Sequence, residues 1–268
     1  KFRRSNRARG AIDGDYVEAV KVFASYGYVV VAPFHGDLRF ADIDIADLND
    51  ALYALLHFQG FVAMQAVRTL SLSTLLTTVQ NHPDFRDHVD MSRVGGFGAS
   101  LGGESLLLMA GAKLTTSLTS QYSQVTYDDR LKAAVGYVPY FGIDPYPAFG
   151  RDLAGLDGVQ LPFLAISGTA DTTAPISVTE QGIRRLTHTR QLVALTGVRH
   201  GFDAAFASDI FTWSLRFLAG QLSGDPVARA TSARMTSVQG GGDDVERIDY
   251  MAPVAISGGG KYRQLSAG

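Results

Sequence analysis

Three short stretches of this chain hold residues that could together activate a hydroxyl for attack on a carbonyl. Ser100 lies in VGGFGASLGG (94–103), Asp171 in SGTADTTAP (167–175) and His200 in VRHGF (198–202). A serine at its ordinary pKa is a poor nucleophile and needs an adjacent base, which in turn needs an acid to orient it. The pentapeptide Gly98-Ala99-Ser100-Leu101-Gly102 fits the pattern G-x-S-x-G, which exposes a serine on a sharp turn between a strand and a helix. With 19 serines and 29 glycines in 268 residues, chance alone yields ~0.2 such matches, so context gives the motif its weight. Here Arg-Val-Gly-Gly-Phe precedes it and the apolar run Glu-Ser-Leu-Leu-Leu-Met-Ala follows. Such a turn also aims a helix N-terminus at the serine, where backbone N–H groups and the helix dipole favour a developing oxyanion. The bland alternative is a glycine-rich structural turn.

Six histidines compete for the role of base. His35, His57, His82 and His88 precede the serine, and His188 sits in the polar stretch THTR. His200 follows the apolar run QLVAL (191–195), at the carboxyl edge where open α/β sheets bind ligands. Asp171 follows PFLAIS (162–167) and is the acid of choice, with an N-cap for the next helix as its structural reading. Its rivals are Asp144 in YFGIDPYP, whose bland role is that of a turn former before Pro145, and Asp157.

These loops need elements to carry them. Asp13–Tyr26 reads as a helix stopped by Gly27, and Tyr28–Ala32 (YVVVA) as a strand buried on both faces and closed by Pro33. Leu70–Asn81 predicts a helix ending before His82-Pro83. Strands follow at Arg93–Phe97, Leu131–Val138, Pro162–Ser167 and Gln191–Leu195, with helices at Leu101–Ala112, Ile176–Leu186 and Ile210–Gln221. This alternation predicts an α/β fold with a mostly parallel central sheet and helices on both faces. The expected division is one domain over 1–222 and a polar, glycine-rich tail over 223–268 packed at the periphery. The apolar segment 51–67 has two readings, a buried helix or a mobile lid.

Composition narrows the function. A net charge of −2 with pI near 6.3 provides no general attraction to nucleic acid, although KFRRSNRAR (1–9) is a local basic cluster. The absence of cysteine excludes disulfides, thiolate metal sites and a cysteine nucleophile. No apolar run reaches the roughly 18 residues of a membrane span. No phosphate-loop, dinucleotide or H-E-x-x-H motif is present, so neither cofactor nor metal is expected. The chain opens at Lys1 without a signal-peptide pattern, and the expectation is that a start is missing.

GFGASLGG, GTADTTAP and RHGF, in this order and after these strands, resemble the α/β-hydrolase superfamily. YVVVAP followed by HGD, and DDRLKAAVGYVPYFG, resemble further segments of its bacterial members. The resemblance covers residues 13–221 and is closest to bacterial lipases, dienelactone-hydrolase-like and platelet-activating-factor-acetylhydrolase-like esterases. It implies that Ser100 attacks an ester carbonyl, His200 shuttles the proton, Asp171 holds the imidazole and the Leu101 N–H serves the oxyanion. The implied substrate is a small-molecule or lipid ester. A second oxyanion donor would come from an N-terminal loop that ends here near Lys1 or Phe2, and the strands before it are expected to be missing. His35-Gly36 looks like that loop but follows the wrong strand, and reads as part of the site rim. Ala99 stands where many lipases carry histidine. True dienelactone hydrolases use cysteine, so that activity is disfavoured. Two alternatives remain open: a serine peptidase of the same fold, and a non-catalytic binding protein.

Overall fold

The computed structural model describes residues 14–33, 35, 47–119, 121–144, 146–202, 204–239, 241 and 245–251. Residues 1–9, Phe2, Phe34 and Gly36 lie outside them. Among the described residues the first element is helix α1 (Gly14–Ser25), followed by Gly27 at φ +85°. Two consecutive helices come next, α2 (Leu48–Leu56) and α3 (Phe58–Asn81), which ends at His82 as expected. Strand β1 (Val94–Ala99) leads through Ser100 into α4 (Leu101–Met109). After a hairpin of β2 (Lys113–Thr115) and β3 (Tyr122–Gln124) come β4 (Leu131–Tyr137) and the small ribbon β5 (Gly142–Ile143)–β6 (Tyr146–Pro147). The remainder is β7 (Phe163–Gly168), α5 (Ile176–Arg185), β8 (Arg190–Leu195), α6 (Ala207–Leu222), α7 (Pro226–Arg234) and β9 (Val245–Met251).

The main sheet has the order β1-β4-β7-β8-β9; the first four strands are parallel and β9 pairs antiparallel with β8. The central strands β4, β7 and β8 read as nearly continuous apolar runs because both their faces are covered. Alternate side chains sort cleanly. Ala134, Phe163, Ala165 and Leu192 pack with α3, α4 and α5 through Phe58, Leu106–Met109 and Ile183. Val135, Leu164, Ile166 and Val193 pack with α1 and α6 through Phe23, Ile210, Trp213 and Phe217. The result is a mixed α/β protein whose four-stranded parallel sheet is flanked by helices. Among the described residues, no helix is long and apolar enough to cross a membrane.

Three segments add detail to the expected layout. Residues 28–32 are not a ladder strand: Tyr28 and Val30 face the core, while Val29 and Val31 are 48% and 37% exposed. Among the described residues only one face of the segment is packed, through Tyr28 and Val30. Within the region expected as a tail, α7 packs on α6 and β9 adds an antiparallel strand to the sheet beside β8. Asp225 starts α7 by accepting the Val227 N–H at 2.8 Å, ahead of Pro226 in the first turn. The segment 51–67 is two helices broken at His57. The α3 part buries Phe58, Phe61, Val62 and Met64, whereas α2 leaves Leu48 (82%), Leu52 and Leu56 exposed.

Candidate active site

Ser100 occupies the turn between β1 and α4 at φ +51°, ψ −117°, a conformation that costs a non-glycine residue energy and persists only where its surroundings enforce it. The enforcement is visible in the backbone. The Ser100 N–H donates to the Tyr137 carbonyl at 2.9 Å, and the Ser100 carbonyl accepts from Gly103 at 2.9 Å and Tyr140 at 3.1 Å. Two neighbouring glycines make this approach possible. A Cβ on Gly98 would lie 2.5 Å from the Gly102 carbonyl carbon, and one on Gly103 would lie 2.7 Å from the Pro139 Cβ. Gly102, by contrast, faces open space. The glycine cluster is therefore clearance for the turn at Gly98 and Gly103, and something else at Gly102.

The serine side chain makes no capping bond to α4, so its Oγ is left to face His200. The Oγ–Nε2 separation is 2.9 Å, and His200 Nδ1 lies 2.9 Å from Asp171 Oδ2. The other carboxylate oxygen, Oδ1, accepts the N–H groups of Thr173 and Ala174, each at 2.8 Å. The Asp171 side chain is fully buried and the imidazole 29% exposed. The loops after β7 and β8 are also tied to each other: the Ala170 N–H donates to the Val198 carbonyl at 3.0 Å, and the Gly197 N–H to Thr169 Oγ1 at 2.8 Å. Carboxylate and imidazole thus move as one unit. A hydroxyl bonded to an imidazole that is itself held by a buried carboxylate can lose its proton as it attacks an electrophile. Leu101 opens α4, so its N–H belongs to the first-turn group that lacks an intrahelical acceptor and is free for an anion.

The rival residues sit elsewhere. Asp144 is exposed and paired with Arg151 at 2.6 Å, and Asp157 pairs with Arg185 at 2.7 Å. His57 points Nδ1 at the Tyr53 carbonyl, His82 lies near Asp84, and His88 is exposed. His188 lies half-buried in the turn before β8, and His35 stands near Arg68 of α3. Of the aromatic residues that could line a pocket, Tyr140, Phe141 and Tyr146 are core, while Phe97, Phe202 and Phe206 are half-buried against the α1–α6 side. The side chain of Leu101, like that of Tyr53, instead packs against the Phe61–Met64 cluster. Tyr53 also borders an open cleft of about 430 Å³ with Leu56, Phe58, Ser117 and Leu118.

Sequence reasoning missed Glu104, which reads as an ordinary acid in the first turn of a helix. It is fully buried behind the serine turn, with Oε1 accepting from Gln65 Nε2 at 2.6 Å and Oε2 without a partner. Burial pushes its carboxyl up to about 8, against the smaller opposing pull of the Gln65 bond and Arg68. Folding therefore takes up a proton at this site between pH 4.5 and about 8, and stability falls as pH rises through that window. His35 acts in the opposite direction: burial, then Arg68, lowers its pKa from 6.5 to about 4, so its effect on stability is complete by pH 6.5. The span from pH 6.5 to 8 therefore separates the effect of Glu104 from that of His35. Over it, wild-type unfolding free energy in urea drops by on the order of 1 kcal/mol per pH unit, and Glu104→Gln removes most of that drop. A variant as pH-sensitive as wild type would show that Glu104 is not the group responsible.

Neither a protein-family model nor a curated protein matches this chain in sequence.

Proposed function

We propose that this protein is a serine carboxylester hydrolase of the α/β-hydrolase fold that acts through an acyl-enzyme. The observation carrying the reading is the unbroken series Ser100 Oγ, His200 and Asp171, with 2.9 Å at each junction, at the carboxyl edge of a parallel sheet. In the reaction, His200 Nε2 takes the Ser100 proton as Oγ bonds to the ester carbonyl carbon. The negative oxygen that forms is stabilised by the Leu101 N–H and the N-terminal end of α4. Collapse breaks the bond to the alkoxide, which receives the proton from Nε2 and leaves as the alcohol. Water then attacks the acyl-enzyme by the same route and releases the acid. Asp171 keeps its negative charge throughout and stabilises the imidazolium. The substrate class is an acyl ester with an apolar acyl group, supported by the half-buried apolar side chain of Leu101, the residue that follows the serine.

The test is covalent labelling. A fluorophosphonate probe is expected to modify wild-type protein, with the adduct mapping to Ser100, and to leave Ser100→Ala unmodified. Folded wild-type protein that stays unlabelled, and hydrolyses no member of an ester panel of graded acyl length, would overturn the reading.

A further inference from the structure

Resting on that reading, we propose that Tyr137 is a positioning residue that braces the His200 loop against the Ser100 turn. Tyr137 ends β4, directly opposite Ala99 in the β1–β4 register. Its backbone carbonyl accepts the Ser100 N–H at 2.9 Å. Its side chain reaches the other way: the phenolic hydroxyl donates to the carbonyl of Gly201, the residue after His200, at 2.9 Å. The ring is 1% exposed and meets Phe202 edge-on, with centroids 6.1 Å apart. One residue is thus fastened to the nucleophile's backbone at one end and to the base's loop at the other.

The anchor itself is firm. Immediately after Tyr137, Val138 takes φ +40° and donates its N–H to the Ile166 carbonyl at 2.7 Å, locking β4 to β7 beneath the acid loop. Two residues on, Tyr140 returns its N–H to the Ser100 carbonyl. The Gly201 carbonyl belongs to an exposed residue and could bond to water instead, so the Tyr137 bond is not required to satisfy a buried acceptor. What it supplies is a fixed distance between the two loops. The link matters because a displacement of about 1 Å of a reacting group costs on the order of 10²-fold in rate.

Tyr137→Phe keeps the ring and its contact with Phe202 and removes the hydroxyl that forms the brace. The expected result is a fall of about 10-fold or more in kcat for ester hydrolysis and in the rate of fluorophosphonate labelling, with KM within about twofold of wild type. A second readout does not depend on turnover: the downfield proton resonance of His200 Nδ1–H, sharp in wild type through its bond to Asp171, broadens by exchange in the variant. Phe202→Leu, which loosens the packing of the same loop but keeps the hydroxyl, serves as the control for general softening and is expected to retain a sharp resonance. The proposal is overturned if Tyr137→Phe labels at the wild-type rate with its resonance unchanged. It is also overturned if activity falls through KM alone. Failure of wild-type protein to label would sink the hydrolase reading itself, while the resonance comparison would still report on the brace.

Discussion

Ser100→Ala lowers kcat for a short-chain ester by about 10⁴ to 10⁶ while leaving the fold intact. The size follows from what is removed: in the proposed reaction Oγ is the atom that forms the covalent bond, and it is the hydroxyl set 2.9 Å from His200 Nε2. What remains is attack by water in a site that still holds an imidazole and a free helix N-terminus, which sustains only a residual rate enhancement. The fold survives because the turn is held by backbone rather than by the hydroxyl. The bonds from Ser100 to Tyr137, Gly103 and Tyr140 are all main-chain, and alanine brings the same Cβ as serine to φ +51°. Urea unfolding is therefore expected within about 0.5 kcal/mol of wild type. Purified alanine variant with more than about a hundredth of wild-type kcat would place the nucleophile elsewhere.

The meeting of Ser100, His200 and Asp171 was legible in the chain because each sits in a loop or turn after a strand that local pattern can recognise. FLAISG before Asp171 and RQLVAL before His200 are mostly apolar because both faces of β7 and β8 are covered, so a short window suffices to find them, while glycines mark VGGFGA before Ser100. The same window predicts an inner strand at YVVVA, which has an equally apolar pattern but, among the described residues, packs on one face and joins no ladder. Whether a run becomes an inner strand depends on neighbours far away in sequence, which no local window contains. The strand at Val245–Met251 escaped for the converse reason. An edge strand needs one partner only, and VERIDYM mixes charges into its apolar positions. Glu104 and Tyr137 were invisible as functional candidates for a third reason. Their importance lies in which atom they meet, Gln65 on a separate helix and Gly201 on a separate loop, and residue type does not encode a partner. Even so, the register offers a signal in retrospect: Tyr137 and Ser100 leave adjacent parallel strands at the same level, where loop-holding side chains belong.

Asp171→Asn is expected to cost about 10⁴ in kcat with little change in KM, a larger loss than the swap of one oxygen for one NH₂ suggests. The surroundings of the carboxylate dictate why. Oδ1 is held by two N–H donors, from Thr173 and Ala174, and a donor cannot take that place. The asparagine must therefore put its carbonyl oxygen there and its NH₂ where Oδ2 stood, facing His200 Nδ1. The NH₂ then donates to Nδ1, which forces the imidazole proton onto Nε2. An Nε2–H points a donor at Ser100 Oγ, so the ring cannot take the serine proton, although every heavy atom is in its original place. Charge is lost as well, since the imidazolium that forms during attack no longer has an anion behind it. The distinguishing measurement is steady-state kinetics beside the His200 proton spectrum. The variant should fold normally, bind ester with near-native KM and lose the Nδ1–H resonance. An asparagine variant with kcat within about tenfold of wild type would show that Asp171 does not set the tautomer of His200.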